Sequence, residues 1–133
     1  MHIVGIGVDL VRVDRIRAIM ERWQDRFLSR LYTDAERQSC FRRASPYPSL
    51  AGRFAVKEAI LKALGVGWSR GVSWVEIEVL NDAAGRPVAT VRGRVETLFR
   101  EAGVTGIHVT LAHDADYAVA EVILTGERGH PSV

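Results

Sequence analysis

The spacing of apolar residues changes several times along the chain, and each change predicts an element. Residues 3–11 run Ile-Val-Gly-Ile-Gly-Val-Asp-Leu-Val, and β-branched residues spaced by glycine predict a strand that another backbone can approach closely. Asp9 falls near its end. From Val13 the period lengthens, with Ile16, Ile19, Met20, Trp23 and Phe27 at i, i+3, i+4, i+7 and i+11, which predicts one apolar helix face. Thr33 and Glu36 form a capping box, so a short helix is expected from Asp34 to Phe41, ended by Ser-Pro-Tyr-Pro at 45–48. A third helix is expected from Leu50 to Leu64, with Ser49 as its cap, Leu50, Phe54, Leu61 and Leu64 on one stripe, and Gly65 as its stop. Residues 75–80 and 88–91 predict a hairpin around the Asn-Asp-Ala-Ala-Gly-Arg-Pro turn at 81–87. A short helix at 95–102 follows, and then a second hairpin from strands at 107–112 and 117–124. Helices mixed with antiparallel hairpins predict an α+β fold.

Composition narrows the class. The chain has 133 residues, close to the commonest single-domain size, so one domain is expected over residues 1–125 with a flexible tail at 126–133. Hydrophobic residues make up 47% and charged residues 26%, which excludes disorder as the main state. Charges interrupt every apolar stretch well short of the roughly 20 residues a membrane span needs. The N-terminus shows no basic segment leading into an apolar core, so a cytoplasmic protein is expected. The single cysteine, Cys40, excludes an intrachain disulfide and a multi-cysteine zinc site, and it fits a reducing compartment.

Charge is distributed unevenly. Residues 1–66 carry 12 basic and 7 acidic side chains, while residues 67–133 carry 6 and 9. Nine arginines lie between Arg12 and Arg43, where the guanidinium fork suits carboxylate or phosphate partners. Arg15, Arg22 and Arg26 recur at i, i+7 and i+11 and fall within about 40° of one another on an ideal helix, beside the apolar stripe. Such a stripe reads as a solvated face or as a docking surface for an acidic partner. An arginine-rich module that binds nucleic acid or an acidic protein without catalysis is the alternative. Five acids interspersed among those arginines, and the lack of a stacking or helix-turn-helix motif, count against nucleic acid.

The third helix holds the densest chemistry. Lys57 projects into the apolar sector, and Glu58 and Lys62 lie beside it. One reading is a surface ion pair, contributing about 0.3–0.5 kcal/mol, with Lys57 snorkelling past the core. The other is a carboxylate that binds a hard cation while neighbouring ammonium groups bind phosphate oxygens. Asp9, between Val8 and Leu10, pays for desolvation unless it is paired, hydrogen-bonded or metal-bound, and Asp14 is better placed to cap the next helix. Two carboxylates plus substrate oxygens and water form a donor set that magnesium accepts.

Three segments, Gly-Ile-Gly-Val-Asp (5–9), Ala-Gly-Arg-Phe-Ala-Val-Lys-Glu-Ala-Ile-Leu-Lys-Ala-Leu-Gly (51–65) and Gly-Arg-Pro (85–87), resemble those of the holo-acyl-carrier-protein synthases. These are 4′-phosphopantetheinyl transferases of the short, single-repeat type, and the resemblance runs from Ile3 to about Leu124. It implies an antiparallel sheet packed against a long central helix, and a homotrimer with active sites between subunits. It also implies transfer of 4′-phosphopantetheine from coenzyme A to a serine of an apo acyl carrier protein, with adenosine 3′,5′-bisphosphate leaving. By the same resemblance Asp9 and Glu58 hold Mg2+, Lys62 binds phosphate, and Glu58, directly or through a metal-bound water, takes the serine proton. Arg53, Lys57, Gly65, Arg86, Pro87 and His113 fall on the coenzyme side, and Arg15, Arg22 and Arg26 on the carrier-docking side. The family's Ser-x-Ser-His or Ser-x-Thr-His is here Thr110-Leu111-Ala112-His113, with one hydroxyl kept and one lost.

Overall fold

Glycine spacing in the first strand decides how the fold packs. β1 (His2–Arg12) pairs antiparallel with β5 (Tyr117–Gly126), which pairs antiparallel with β4 (Gly106–His113). The result is a three-stranded sheet in the order β1-β5-β4. The helix α3 (Tyr47–Leu64) covers one face of it. A Cβ on Gly5 would run into the carbonyl of Ala63, and one on Gly7 into that of Ala59, so strand and helix meet backbone to backbone. The structure, a computed structural model, describes residues 1–68 and 71–127.

Before α3 come α1 (Val13–Leu31) and α2 (Asp34–Phe41); after it come a 3-10 turn (Trp74–Glu76), β2 (Ile77–Asn81), β3 (Pro87–Val91) and α4 (Gly93–Ala102). β2 and β3 form a separate two-stranded sheet. The core lies between α3 and the larger sheet, where Leu50, Ala55, Val56, Ala59 and Ile60 of α3 pack with Ala118, Ala120, Val122 and Leu124 of β5. The mixed α+β class expected from the pattern is the one observed.

Four local expectations change. α3 begins at Tyr47 rather than Leu50, because Pro48 needs no N–H and fits the first turn. Ser49 is therefore no cap; it is buried inside that turn, where its hydroxyl accepts from Arg53. Asp14 does not cap α1, whose N-cap is Arg12 without a side-chain bond, and instead pairs with Arg17 at 3.6 Å. The strand expected from residue 75 starts at Ile77, since Ser73 and Glu76 form a capping box that holds Trp74–Glu76 in a 3-10 turn.

α1 departs most from its pattern. Gln24 has φ 46° and ψ −128°, which breaks the helix into two segments of different phase. The buried residues are Val13, Ile16, Leu28 and Leu31, and Trp23, expected on the inner face, is 49% exposed. Of the expected tail, Gly126 still belongs to β5, paired with His2, and residues 128–133 lie outside the described residues.

The other face of the larger sheet is uncovered in the single chain. Ile6, Val8 and Leu10 of β1 are 60%, 54% and 64% exposed, and Val119 of β5 lies across from Leu10.

Candidate active site

Asp9 and α3 meet because alternation turns Asp9 to the same face of β1 as Gly7, the residue pressed against Ala59. Lys62 sits one turn beyond Glu58 on α3. Its Nζ donates to Asp9 Oδ1 at 2.7 Å and to the Val8 carbonyl at 3.1 Å. Glu58 is half-buried, and Trp68 Nε1 donates to its Oε1 at 3.2 Å. Burial is the largest cause that pushes the Glu58 carboxyl up; the Trp68 hydrogen bond opposes it, the charge of Asp9 adds to it, and Lys62 and Arg15 oppose it. Asp9, Glu58, Lys62 and Arg15 thus form one electrostatic cluster of two acids and two cations. Among the described residues no group of three or more His, Cys, Asp or Glu side chains is placed to hold a metal.

Two residues expected on the coenzyme side lie inside the protein. Lys57 has no exposed surface, and its Nζ donates to Leu31 O, to Glu36 Oε1 at 2.8 Å and to Trp74 O at 3.1 Å. Those three bonds use all the donors an ammonium has. The snorkelling expectation is corrected too, for the head group is turned inward against a buried carboxylate. Burial lowers the Lys57 pKa, and Glu36 opposes that fall. Arg53 is 3% exposed and donates to Val79 O, Ser49 Oγ and Ser39 Oγ. Both cations brace α3 against its neighbours.

Glu36 is the residue sequence reasoning valued too little. Its Oε1 accepts from Thr33 N as the capping box requires, and its Oε2 accepts from Val79 N of β2. One carboxylate caps α2, pairs with Lys57 and holds the small sheet. The capping-box signal showed only the first of these.

The remaining expected residues lie apart from the cluster. Gly65 ends α3 with φ 73°, the left-handed conformation that glycine adopts without strain. Arg86 is tied into its own turn, where its N–H and Nε donate to the Asp82 carboxylate, and Pro87 opens β3 opposite Asn81. These backbone and side-chain bonds lower the Asp82 pKa, the Arg86 N–H first. His113 ends β4 and is exposed; register aligns it with Ala118 and Val11, so it shares the α3 face of the sheet with Asp9, two strands away. Among the described residues none of Gly65, Arg86, Pro87 and His113 hydrogen-bonds to Asp9, Glu58 or Lys62 within the chain.

The arginine stripe is interrupted. The break at Gln24 separates Arg15 and Arg22 from Arg26, and Arg22 lies over the Trp23 ring at 5.2 Å. Arg26 instead shares a groove of about 310 Å³ with Arg30, Ile19, Trp23 and Phe27. Arg30, which an ideal helix turns elsewhere, belongs to the same basic surface.

The 4′-phosphopantetheinyl transferase superfamily model matches residues 5–122, which include both carboxylates and Lys62. The chain belongs to that superfamily. It is 46% identical over 124 residues to the holo-[acyl-carrier-protein] synthase of Desulforudis audaxviator, covering 93% of this chain and 94% of that one. The crystal structure of the Neisseria meningitidis holo-[acyl-carrier-protein] synthase superposes with a TM-score of 0.85 at 30% identity, over 93% of this chain and 99% of that one. A Bacillus anthracis holo-(acyl-carrier-protein) synthase, solved in complex with CoA (3′,5′-ADP), superposes at 0.77 with 32% identity, over 94% and 98%. The motifs quoted above therefore mark the family correctly, and the fold agrees with it.

Proposed function

We propose that this chain transfers 4′-phosphopantetheine from coenzyme A to a serine hydroxyl of an apo acyl carrier protein, releasing adenosine 3′,5′-bisphosphate. The cluster of Asp9, Glu58 and Lys62 carries this reading, since acids and an ammonium side by side are what phosphoryl transfer requires. Lys62 neutralises the pyrophosphate, and Arg15 adds positive charge at the same place. Glu58 accepts the serine proton. Its raised pKa makes it a stronger base than an ordinary carboxylate.

The donor set fits magnesium. Asp9 and Glu58 oppose each other electrostatically, a conflict a hard cation relieves, and magnesium takes one or two carboxylates while keeping water and phosphate oxygens. When bound there it would stabilise the charge of the pyrophosphate and of the departing bisphosphate. The Lys62 contact with Asp9 keeps that carboxylate aimed in its absence. Calorimetry of coenzyme A binding tests the cation's role: binding that needs magnesium and is lost in Asp9→Asn is expected, and equal binding in chelator contradicts it.

Carrier docking is assigned to Arg15 and Arg22 of the first segment of α1 and Arg26 of the second, with Arg30 beside Arg26, a surface that complements an acidic helix. Gly65, Arg86, Pro87 and His113 are proposed on the coenzyme, from the next subunit where one chain does not bring them to Glu58. A homotrimer is supported by the uncovered face of β1, where three large apolar side chains in a row stand exposed on a sheet. Light scattering at micromolar concentration is expected to give three copies, and a monomer contradicts it. We place the enzyme in the cytoplasm and its product in fatty-acid biosynthesis.

A further inference from the structure

We propose that Trp68 is a positioning residue for Glu58, acting through its indole N–H from a fixed aromatic platform; this rests on the transferase reading above. Its bond to Oε1 holds the Glu58 carboxylate from outside α3. Glu58 stands in a difficult place. It is half-buried, its side chain has three rotatable bonds, and it shares its surroundings with the like charge of Asp9. Without a donor it would swing toward solvent.

Local structure explains why that donor is rigid. Gly65 turns the chain back at the end of α3, with Val66 N bonded to Leu61 O, so that three residues later Trp68 crosses over the Glu58 side of the helix. The Trp68 ring stacks on Trp74, and Trp74 stacks on Phe54 with centroids 4.9 Å apart and planes 21° apart. Phe54 lies one turn before Glu58 on α3, so the path from Phe54 through the two indoles to the Glu58 carboxylate starts and ends on the same helix. Trp74 is fixed from beneath. Its carbonyl accepts from the buried Lys57, the Ser73–Glu76 capping box holds its turn, and Glu76 Oε2 accepts from Arg94 N. Lys57, expected on phosphate, thereby supports the site from inside through Trp74 and Trp68.

Among the described residues no hydrogen bond is given to the second Glu58 oxygen, which is left for the proton or a cation while the other stays directed by the indole. Misplacing a reacting group by about 1 Å costs up to 100-fold in rate, so a single directing bond has a measurable effect on turnover.

Trp68→Phe, made in the full chain, keeps the stack and removes the N–H. The expected result is a fall in kcat of roughly tenfold, with KM for coenzyme A and for carrier protein within about twofold. The thermal midpoint should stay within about 2 °C of the unaltered protein. A spectroscopic readout comes from Trp23→Phe protein, in which Trp68 and Trp74 are the fluorophores. Glu58→Ala should shift its emission, and adding Trp68→Phe should abolish that dependence on Glu58. Unchanged kcat overturns the proposal, as does a loss in which both KM values and the midpoint move together, since that describes a residue that only packs the loop. Superimposable emission with and without Glu58 overturns it too. Should the unaltered protein transfer nothing, the transferase reading fails instead, and the emission comparison still decides whether Trp68 holds Glu58.

Discussion

Lys62 reaches across from α3 to the Asp9 carboxylate of β1, 53 positions away in the sequence, at 2.7 Å. The contact exists because Gly5 and Gly7 let the two backbones touch, and it assembles the cluster from elements that local sequence leaves separate. Asp9→Asn and Glu58→Gln are each expected to lower transfer roughly 10²-fold or more with the fold retained. Near-normal turnover of either, measured by carrier mass and circular dichroism, removes that residue from the site.

Gly7→Ala should act on the same cluster from a distance. The added methyl meets the Ala59 carbonyl, and overpacking of this kind costs about 1–3 kcal/mol. A lower denaturation midpoint together with loss of activity below the melting transition is expected, because the strand that carries Asp9 must move off α3. A fully active, equally stable variant contradicts the close approach.

The titration of Glu58 sets the sign of a stability effect. Its carboxyl is held above the ordinary value near 4.5, mainly by burial, with Asp9 adding and with Trp68, Lys62 and Arg15 opposing. A raised folded-state pKa contributes stability that is full below the unfolded value and lost as pH rises through the folded one. Glu58→Gln should therefore be more stable than the unaltered protein at neutral pH, and the gap should close on acidification below about pH 4. Thermal melts across pH 3.5–8 without magnesium check this, and a constant gap would contradict it.

Lys57 separates a structural cation from a phosphate ligand. Removing one member of a buried ion pair costs roughly 3–5 kcal/mol, so Lys57→Met should lower the urea midpoint sharply. A stable Lys57→Met protein with weakened coenzyme A binding would return Lys57 to the phosphates.

Docking has a separate signature. Arg26→Glu and Arg30→Glu should each raise KM for carrier protein about tenfold while leaving KM for coenzyme A unchanged, and the effect should shrink as salt increases. Equal KM values with and without the substitutions would make this a solvated face.

Much of this was legible because local patterns and chemistry coincide. Glycine alternation marked β1, the apolar stripe and terminal Gly65 marked α3, and i, i+4 spacing put Glu58 beside Lys62. What stayed hidden depends on contacts distant in sequence. Lys57 and Glu36, 21 residues apart, satisfy each other's burial, and neither residue's neighbours announce it. Gln24 at positive φ carries no local signal, since that conformation is rare for any residue with a side chain. Every helical phase counted across it was therefore displaced, which takes Arg26 off the stripe counted from Arg15 and Arg22. The platform under Trp68 needed the hairpin and α3 to be in place before it could be read.

The central claim meets its most direct test in the intact mass of an apo acyl carrier protein after incubation with this protein and coenzyme A, with magnesium or with a chelator. The expected result is a gain of one phosphopantetheine on the carrier serine with magnesium and none with chelator. A folded protein that binds coenzyme A yet leaves every carrier's mass unchanged, or that modifies the carrier equally well in chelator, would contradict it.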